Sequence, residues 1–361
     1  MTITIAVLTF ILAVATGLSF LRIPHGFVRI FSFPRLQILV IAAVALFVTL
    51  FFVPDGVLDT ILSVTLISVI VAQSFAIAQF TPLRSKQSVS HDGDPDGPDT
   101  VSILSYNVKE SNTKFQEARD LATKYEPDLA LYMETHQKWV DALMPLKEHY
   151  PHVVAHPLDN AYGMVLFSKF ELEDVKVEYL VMEEIPSIIA TVVLPDGQRF
   201  RLYCVHPEPP VPHMDSVGRD AELLKIAEMV EKDPMPAIVT GDLNDVAWSN
   251  TTRMFQRLSR LLDPRVGRGF YNTFDTRFPF LRWPLDHLFH DSHFHLIAMT
   301  RLPNAGSDHF PMYFKLALAG HDPDVEMPDE ADAEDRQEAA EIKQEGRELD
   351  RDPIGADWEK N

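Results

Sequence analysis

The first 21 residues, MTITIAVLTFILAVATGLSFL, carry no charged side chain. A stretch of that length crosses a hydrocarbon core about 30 Å thick as a helix, and no other feature of the chain restricts its surroundings so severely. Two further apolar runs follow closely, LQILVIAAVALFVTLFFV at 36–53 and TILSVTLISVIVAQSFAIAQF at 60–80. A cleaved signal peptide is the alternative for the first run. The lack of a positively charged segment ahead of it, and the two runs behind it, count against that. Residues 1–82 are therefore expected to form a membrane domain of three transmembrane helices in contact with a lipid bilayer. The loop at 22–35 holds Arg22, Arg29 and Arg35, the loop PDGVLD holds only acids, and Arg84 and Lys86 follow the third run. Positive residues favour the cytoplasmic side, so the chain after residue 82 is expected to be cytoplasmic.

Whole-chain figures of 46% hydrophobic and 23% charged residues conceal this segregation. The net charge of −20 is also uneven: residues 321–361 hold 16 Asp and Glu against 5 Lys and Arg, and residues 1–98 balance at five against five. That distribution lacks the basic stripe of a protein that grips nucleic acid through its phosphates. HDGDPDGPD at 91–99 closes a polar linker spanning 83–99. The tail from 320 to 361 is acidic, poor in large apolar residues and expected to be disordered, or at most a solvated helix. The single cysteine, Cys204, sits in the apolar run FRLYCVH and reads as a small core residue.

Between residues 100 and 319 the hydrophobic period alternates between that of strands and that of helices. VSILSYNV ends at Asn107, and TKFQEARDLATKY places Phe115, Ala118, Leu121, Ala122 and Tyr125 on one helical face. DLALYME is a buried strand ending at Glu134, and GMVLFS, VKVEYLVM and SIIATVVL follow, with PDGQ turning into RFRLYCVH. A helix from about 215 to 231 leads into MPAIVTGDLN, and LDHLFH and FHLIAMTRL precede the last strand. The pattern is that of two packed sheets with helices outside them.

Polar residues terminate nearly all of these strands: Asn107, Glu134, His206, Asp242 with Asn244, Asp286, and Asp308 with His309. Singly, each is an ordinary turn or surface residue. Their recurrence at strand after strand implies that core strands aim carboxylates, amides and imidazoles at one place.

The ordered set SYNV, YMETH, VHPEPP, GDLND, LDHLF and GSDHFP resembles the endonuclease/exonuclease/phosphatase family. The resemblance covers residues 100–318 and is to a bacterial-type member with N-terminal membrane helices, which implies an inner-membrane location. It implies an α/β (α+β) fold, a four-layered β-sandwich flanked by helices (DNase I-like), and a metal-dependent hydrolase acting on a phosphodiester, lipid or nucleic acid being left open. By similarity, Asn107, Glu134 and Asp308 would hold Mg²⁺ or Mn²⁺, while His206, Asp242, Asn244, Asp286 and His309 would be catalytic, with Asp286 holding the His309 imidazole. Trp248, Arg219 and Asn272 are candidates for substrate binding, as are Arg253 and Arg282, and Trp283 for the pocket wall. The Gln that commonly precedes the metal-binding Glu is replaced by Met133, and PEPPVP after His206 makes a stiff rim. An inactive membrane scaffold of the same fold is the competing reading, and no obligate protein partner is implied.

Overall fold

Four α-helices come before the first strand in the computed structural model, which describes residues 1–323 and 325–357. Helix α1 (Thr2–Leu18) is followed by the short α2 (Gly26–Arg29), α3 (Arg35–Phe52) and α4 (Val57–Ile77). The three longer helices pack through Leu12, Ala15, Ile38, Ala42, Ala45, Leu66 and Val69, while Phe10, Val44, Phe51 and Phe75 point outward and are exposed. Two segments, Arg35–Phe52 and Val57–Phe80, are long and apolar enough to cross a membrane; α1, at 17 residues, is shorter. The expected three spans are thus two candidates. The uncharged stretch does not remain helical to residue 21, because polar groups close the helix: the Ser19 hydroxyl donates to Thr16 O (2.8 Å) and the Arg35 guanidinium to Ser19 O (2.6 Å).

From residue 100 the order is β1 (Thr100–Asn107), α5 (Phe115–Tyr125), β2 (Leu129–Met133), α6 (Gln137–Leu143), β3 (His152–His156), β4 (Met164–Ser168), β5 (Glu171–Tyr179) and β6 (Pro186–Val193). There follow β7 (Arg199–Cys204), α7 (Val217–Lys232), β8 (Ala237–Asp242), α8 (Asn250–Ser259), β9 (Asp286–His290), β10 (Phe294–Arg301), β11 (Met312–Leu318) and α9 (Ala333–Arg347). One sheet runs β10-β11-β1-β2-β4-β3 and the other β5-β6-β7-β8-β9. Val101, Ile103, Leu129 and Leu131 of the first meet Ile188, Leu202, Ile238 and Leu288 of the second in the central core. Outside, Leu104, Tyr106 and Tyr132 pack under α5 and α6, and Val239 and Phe289 under α7 and α8. The alternation along β1 (101 and 103 inward, 104 and 106 outward) is the period-two signature of a strand buried on both faces. Helix, sheet, sheet, helix gives the four layers expected.

Two segments differ from the sequence reading. The linker is not a free tether: Ser88 is buried with its hydroxyl 2.6 Å from His290 Nε2, and Leu296 N donates to Val89 O (2.7 Å) along the edge of β10. The acidic tail, expected to be disordered, carries α9. Asp332 caps it by accepting from Asp335 N (2.8 Å), and the Asp335 carboxylate holds Arg257 of α8 in two 2.6 Å contacts. Ala339 and Ile342 are buried against the α7–α8 layer. Gly346 makes this close approach feasible, since a Cβ there would lie 2.5 Å from that of Ala221.

Candidate active site

Strand parity decides which way the polar ends point. β1 and β2 run parallel with Asn107 opposite Met133, β7 and β8 run parallel, and β9 runs antiparallel to β8 with Asp286 opposite Asp242. The outgoing ends of β1, β2, β7 and β8 and the incoming ends of β9 and β11 therefore share one edge of the sandwich. Extending each inward-facing set by two or four residues (Ile103 to Asn107, Cys204 to His206, Ile238 to Asp242, Leu288 back to Asp286) brings four polar side chains into the gap between the sheets. Glu134 falls on the opposite parity. It has φ +60°, and this left-handed step breaks the alternation and admits its carboxylate to the group. Gly241, at φ +148°, is needed because a Cβ would come 1.9 Å from Val205 O.

The result is one connected cluster. Asn107 Nδ2 donates to Glu134 Oε1 (2.7 Å) and Asp242 Oδ2 (2.9 Å), and Asn107 Oδ1 accepts from Lys109 N (3.0 Å). Glu134 Oε2 accepts from Glu110 N (3.0 Å), and Asp308 Oδ2 accepts from the Lys109 ammonium (2.9 Å). His309 Nδ1 lies 2.8 Å from Asp286 Oδ2, with Nε2 3.5 Å from Asp242 Oδ2. His206 Nε2 is 3.7 Å from the same Asp242 oxygen, and Asn244 N donates to Asp242 Oδ1 (3.0 Å).

The two histidines are in opposite electrostatic environments. Burial drives the His206 pKa down to about 4, with Asp242 only partly opposing it, so the ring is neutral at pH 7. Burial also opposes charge on His309, but Asp286 and Asp242 outweigh it and hold that pKa up at about 10. Burial raises Glu134 to about 7 against the hydrogen bonds from Asn107 and Glu110, and burial likewise raises Asp242.

The substrate candidates sit elsewhere. Arg219 is fully buried and cannot meet a substrate: its donors go to Asp220 Oδ1 (2.7 and 2.9 Å) and to Asn244 O (3.0 Å), with Asp245 Oδ2 3.6 Å away. Isolated in a sequence it looks like a surface arginine, but the paired acids draw it inside. Trp248 is also buried, its Nε1 donating to Ser32 O (2.6 Å) and its ring packed under Phe80 and Phe270, so it walls no pocket. Asn272 is joined to the rim through its carbonyl, which accepts from Arg301 (2.7 Å). Arg253 donates to Ala76 O (2.6 Å) and Arg282 to Thr276 O (2.8 Å), both structural contacts. The sequence reading missed Lys109, Tyr162, whose ring lies 5.6 Å from that of His206, and Phe274, 4.9 Å from His309. Lys109 stands two residues beyond Asn107, and that proximity was the only available signal. A cavity of about 530 Å³ between the end of α4 and α8, lined by Phe75, Arg84, Arg253 and Arg257, borders none of the cluster.

The donor chemistry fits a hard dication. Glu134 and Asp308 offer carboxylate oxygens, and the elevated Glu134 pKa marks buried anionic charge that such an ion would offset. Asp242, Asp286 and His309, whose ligand atoms lie within 4.8 Å of one another, fit Mg²⁺ less well, because His309 Nδ1 is already committed to Asp286 and imidazole is a poor ligand for this ion.

Comparison with known proteins gives a consistent picture. The sequence pattern of the Endonuclease/Exonuclease/phosphatase family matches residues 104–309. No curated protein matches the chain. Among solved structures, D. rerio TDP2 complexed with single strand DNA product is similar at 18% identity and a TM-score of 0.51, covering 60% of this chain and 98% of that one. The human Nocturnin catalytic domain with bound sulfate anion is similar at 15% identity and a TM-score of 0.50, covering 66% and 99%. At these identities the likeness is one of fold.

Proposed function

The chain belongs to the endonuclease/exonuclease/phosphatase family, and from that premise we propose that it is a membrane-anchored, metal-dependent hydrolase of phosphodiesters. The observation that carries the reading is the convergence of the buried Asp242, Asp286, His206 and His309 with the half-buried Glu134, from both sheets, on one cluster. A fold needs no such group for stability, since burying several like charges is costly.

Glu134 and Asp308 would hold Mg²⁺ or Mn²⁺, with Asn107 orienting the Glu134 carboxylate through its amide nitrogen. When bound, the ion supplies Lewis-acid neutralisation of phosphate charge. Asp242, fixed by Asn107 and by the amide of Asn244, accepts the proton of the attacking water. His309 is the cationic partner: Asp286 anchors Nδ1 and leaves Nε2–H to bind a phosphate oxygen. His206, neutral and with Nδ1 lacking a partner among the described residues, donates to another phosphate oxygen or to the leaving group.

Two apolar helices of spanning length support the anchor, and the positive loop at 22–35 supports a cytoplasmic active site. A C-terminal reporter fusion active only outside the cytoplasm would reverse that orientation. For the activity, full-length protein is assayed with Mg²⁺ on bis(p-nitrophenyl) phosphate, single- and double-stranded DNA, phospholipid and phosphoinositide headgroups. Turnover that disappears with EDTA and falls at least about 100-fold in Glu134→Ala and His309→Ala is expected. No metal-dependent turnover on any of them would leave the non-catalytic scaffold as the reading.

A further inference from the structure

Residues 275–283, DTRFPFLRW, make a loop whose tip the chemistry above does not use. Its base is fastened to the segment that leads into β11: Thr276 N donates to Asp308 O (2.8 Å), the Thr276 hydroxyl donates to Ser307 O (2.9 Å), and the ring of the preceding Phe274 lies 4.9 Å from that of His309 at a tilt of 43°. Its neck is closed by Arg282, which donates to the carbonyls of Asp275 (3.2 Å) and Thr276 (2.8 Å). Its tip is apolar and turned out, with Phe278, Phe280 and Leu281 being 52%, 86% and 47% exposed. Three large apolar side chains in four positions on a well-braced loop form a patch that calls for an occupant.

The other flank of the loop says what that occupant is. Gln37, in the first turn of α3, donates to Phe280 O (2.9 Å), and Phe33 packs edge-on against Trp283 at 5.8 Å. α3 is one of the two helices long enough to span a bilayer. Arg35 at the start of α3 donates to Ser19 O just after α1 (2.6 Å) and to Gln73 Oε1 near the end of α4 (3.1 Å), and Gln73 donates to Thr16 in α1 (3.0 Å), so the end of α1, the start of α3 and the end of α4 share one level. There the exposed apolar residues continue as Phe20, Leu21 and Ile23 after α1 and Leu83 after α4. The loop tip extends that collar, and Arg277, exposed though paired with Asp275, flanks it.

We propose that the 275–283 loop seats in the bilayer interface beside α3, and that the site at its base takes the phosphodiester of a membrane lipid headgroup. This rests on the membrane-anchored phosphoesterase reading and deepens it. Exposed phenylalanines also stack on nucleic acid bases, but the unbroken join to the apolar helices and a net charge of −20 favour lipid.

The test uses full-length protein in nanodiscs of phosphatidylcholine and phosphatidylglycerol with Mg²⁺. A Phe278→Ser/Phe280→Ser/Leu281→Ser variant leaves Asp275, Arg277 and Arg282 in place. Headgroup release is expected to fall at least about 10-fold while bis(p-nitrophenyl) phosphate turnover stays within about twofold. Unchanged headgroup release, or an equal fall in both activities, overturns the proposal. If wild type turns over the soluble ester but releases no headgroup, the lipid assignment fails while the hydrolase reading stands; if it turns over neither, both fail. Seating is read independently of activity. The only native cysteine, Cys204, is buried, so Phe280→Cys can be labelled selectively with bimane. Quenching by doxyl-labelled lipid is expected; absence of quenching, or quenching only by added single-stranded DNA or a protein partner, overturns the docking.

Discussion

Asp286 and His309 arrive from different strands, 23 residues apart in sequence, yet they form the shortest acid–imidazole contact in the cluster at 2.8 Å. Since Asp286 is a leading reason the imidazole stays cationic toward about pH 10, Asp286→Asn should lower the His309 pKa by about 1–3 units. Catalysis that needs the imidazolium then loses its alkaline limb at lower pH, and kcat/KM near neutrality falls about 100-fold. A pH–rate profile of the variant in which activity falls but the limb does not move would show that Asp286 only positions the ring. Strand periodicity made legible only that polar strand ends share one edge; the pairing itself was what the family resemblance implied. What could not be read was any contact made across chain separations that periodicity leaves undefined. Tyr162 beside His206 is one such contact. Arg219 is another: its place inside is created by Asp220 and Asp245, and nothing in GRDAE distinguishes it from a solvated arginine.

At the scale of elements, α7 is buried on most of its circumference, held between the second sheet and α9. Glu222 lies within it, its carboxylate accepting from the Ser187 hydroxyl (2.9 Å), and burial pushes its pKa up to about 8. Below pH 4.5 folded and unfolded chains both hold this proton, so the group does not affect stability. Between there and about pH 8 only the folded chain keeps it, and stability falls as pH rises, by about 1.4 kcal/mol per unit at most. Glu222→Gln should therefore raise the melting temperature at pH 8 and leave it nearly unchanged at pH 4.5; an equal gain at both would mean that packing, not ionisation, was altered. α9 depends on the same surface and shows where pattern reading stops. Its apolar stripe is only Ala339 and Ile342, too narrow to identify a buried helix, because most of the attachment comes from the Arg257–Asp335 pair and the close approach at Gly346. Ile342→Ala should cost about 2–4 kcal/mol, seen as a lowered melting temperature and faster proteolysis of residues 333–347.

At the scale of the whole molecule, composition divides the chain into apolar helices, linker and soluble domain, but the physical boundary is a packed seam. Arg29, between α1 and α3, donates to Asp220 Oδ2 (2.8 Å) with both groups buried. Burial opposes ionisation of Asp220, yet Arg219 and Arg29 together hold its pKa below the usual carboxylate value. Arg219 then donates to Asn244 O, one turn from Asp242. Alongside, Trp248 and Val246 pack with Phe80, Ala76, Phe33 and Leu36. The N-terminal helices thus support the Asp242–Asn244 turn from behind. A chain beginning at residue 83 would expose the underside of Trp248 and leave Asp220 with one cation in place of two. It should associate in solution and melt at least about 10 °C below the full-length protein. Arg29→Met in the intact chain isolates the electrostatic part, because removing one partner of a buried pair costs on the order of 3 kcal/mol, and it should also reduce turnover by loosening the Asn244 turn. If the truncated chain is monodisperse and melts with the full-length protein, the seam is only contact; if Arg29→Met alone lowers both melting temperature and turnover, the N-terminal helices are part of what shapes the site.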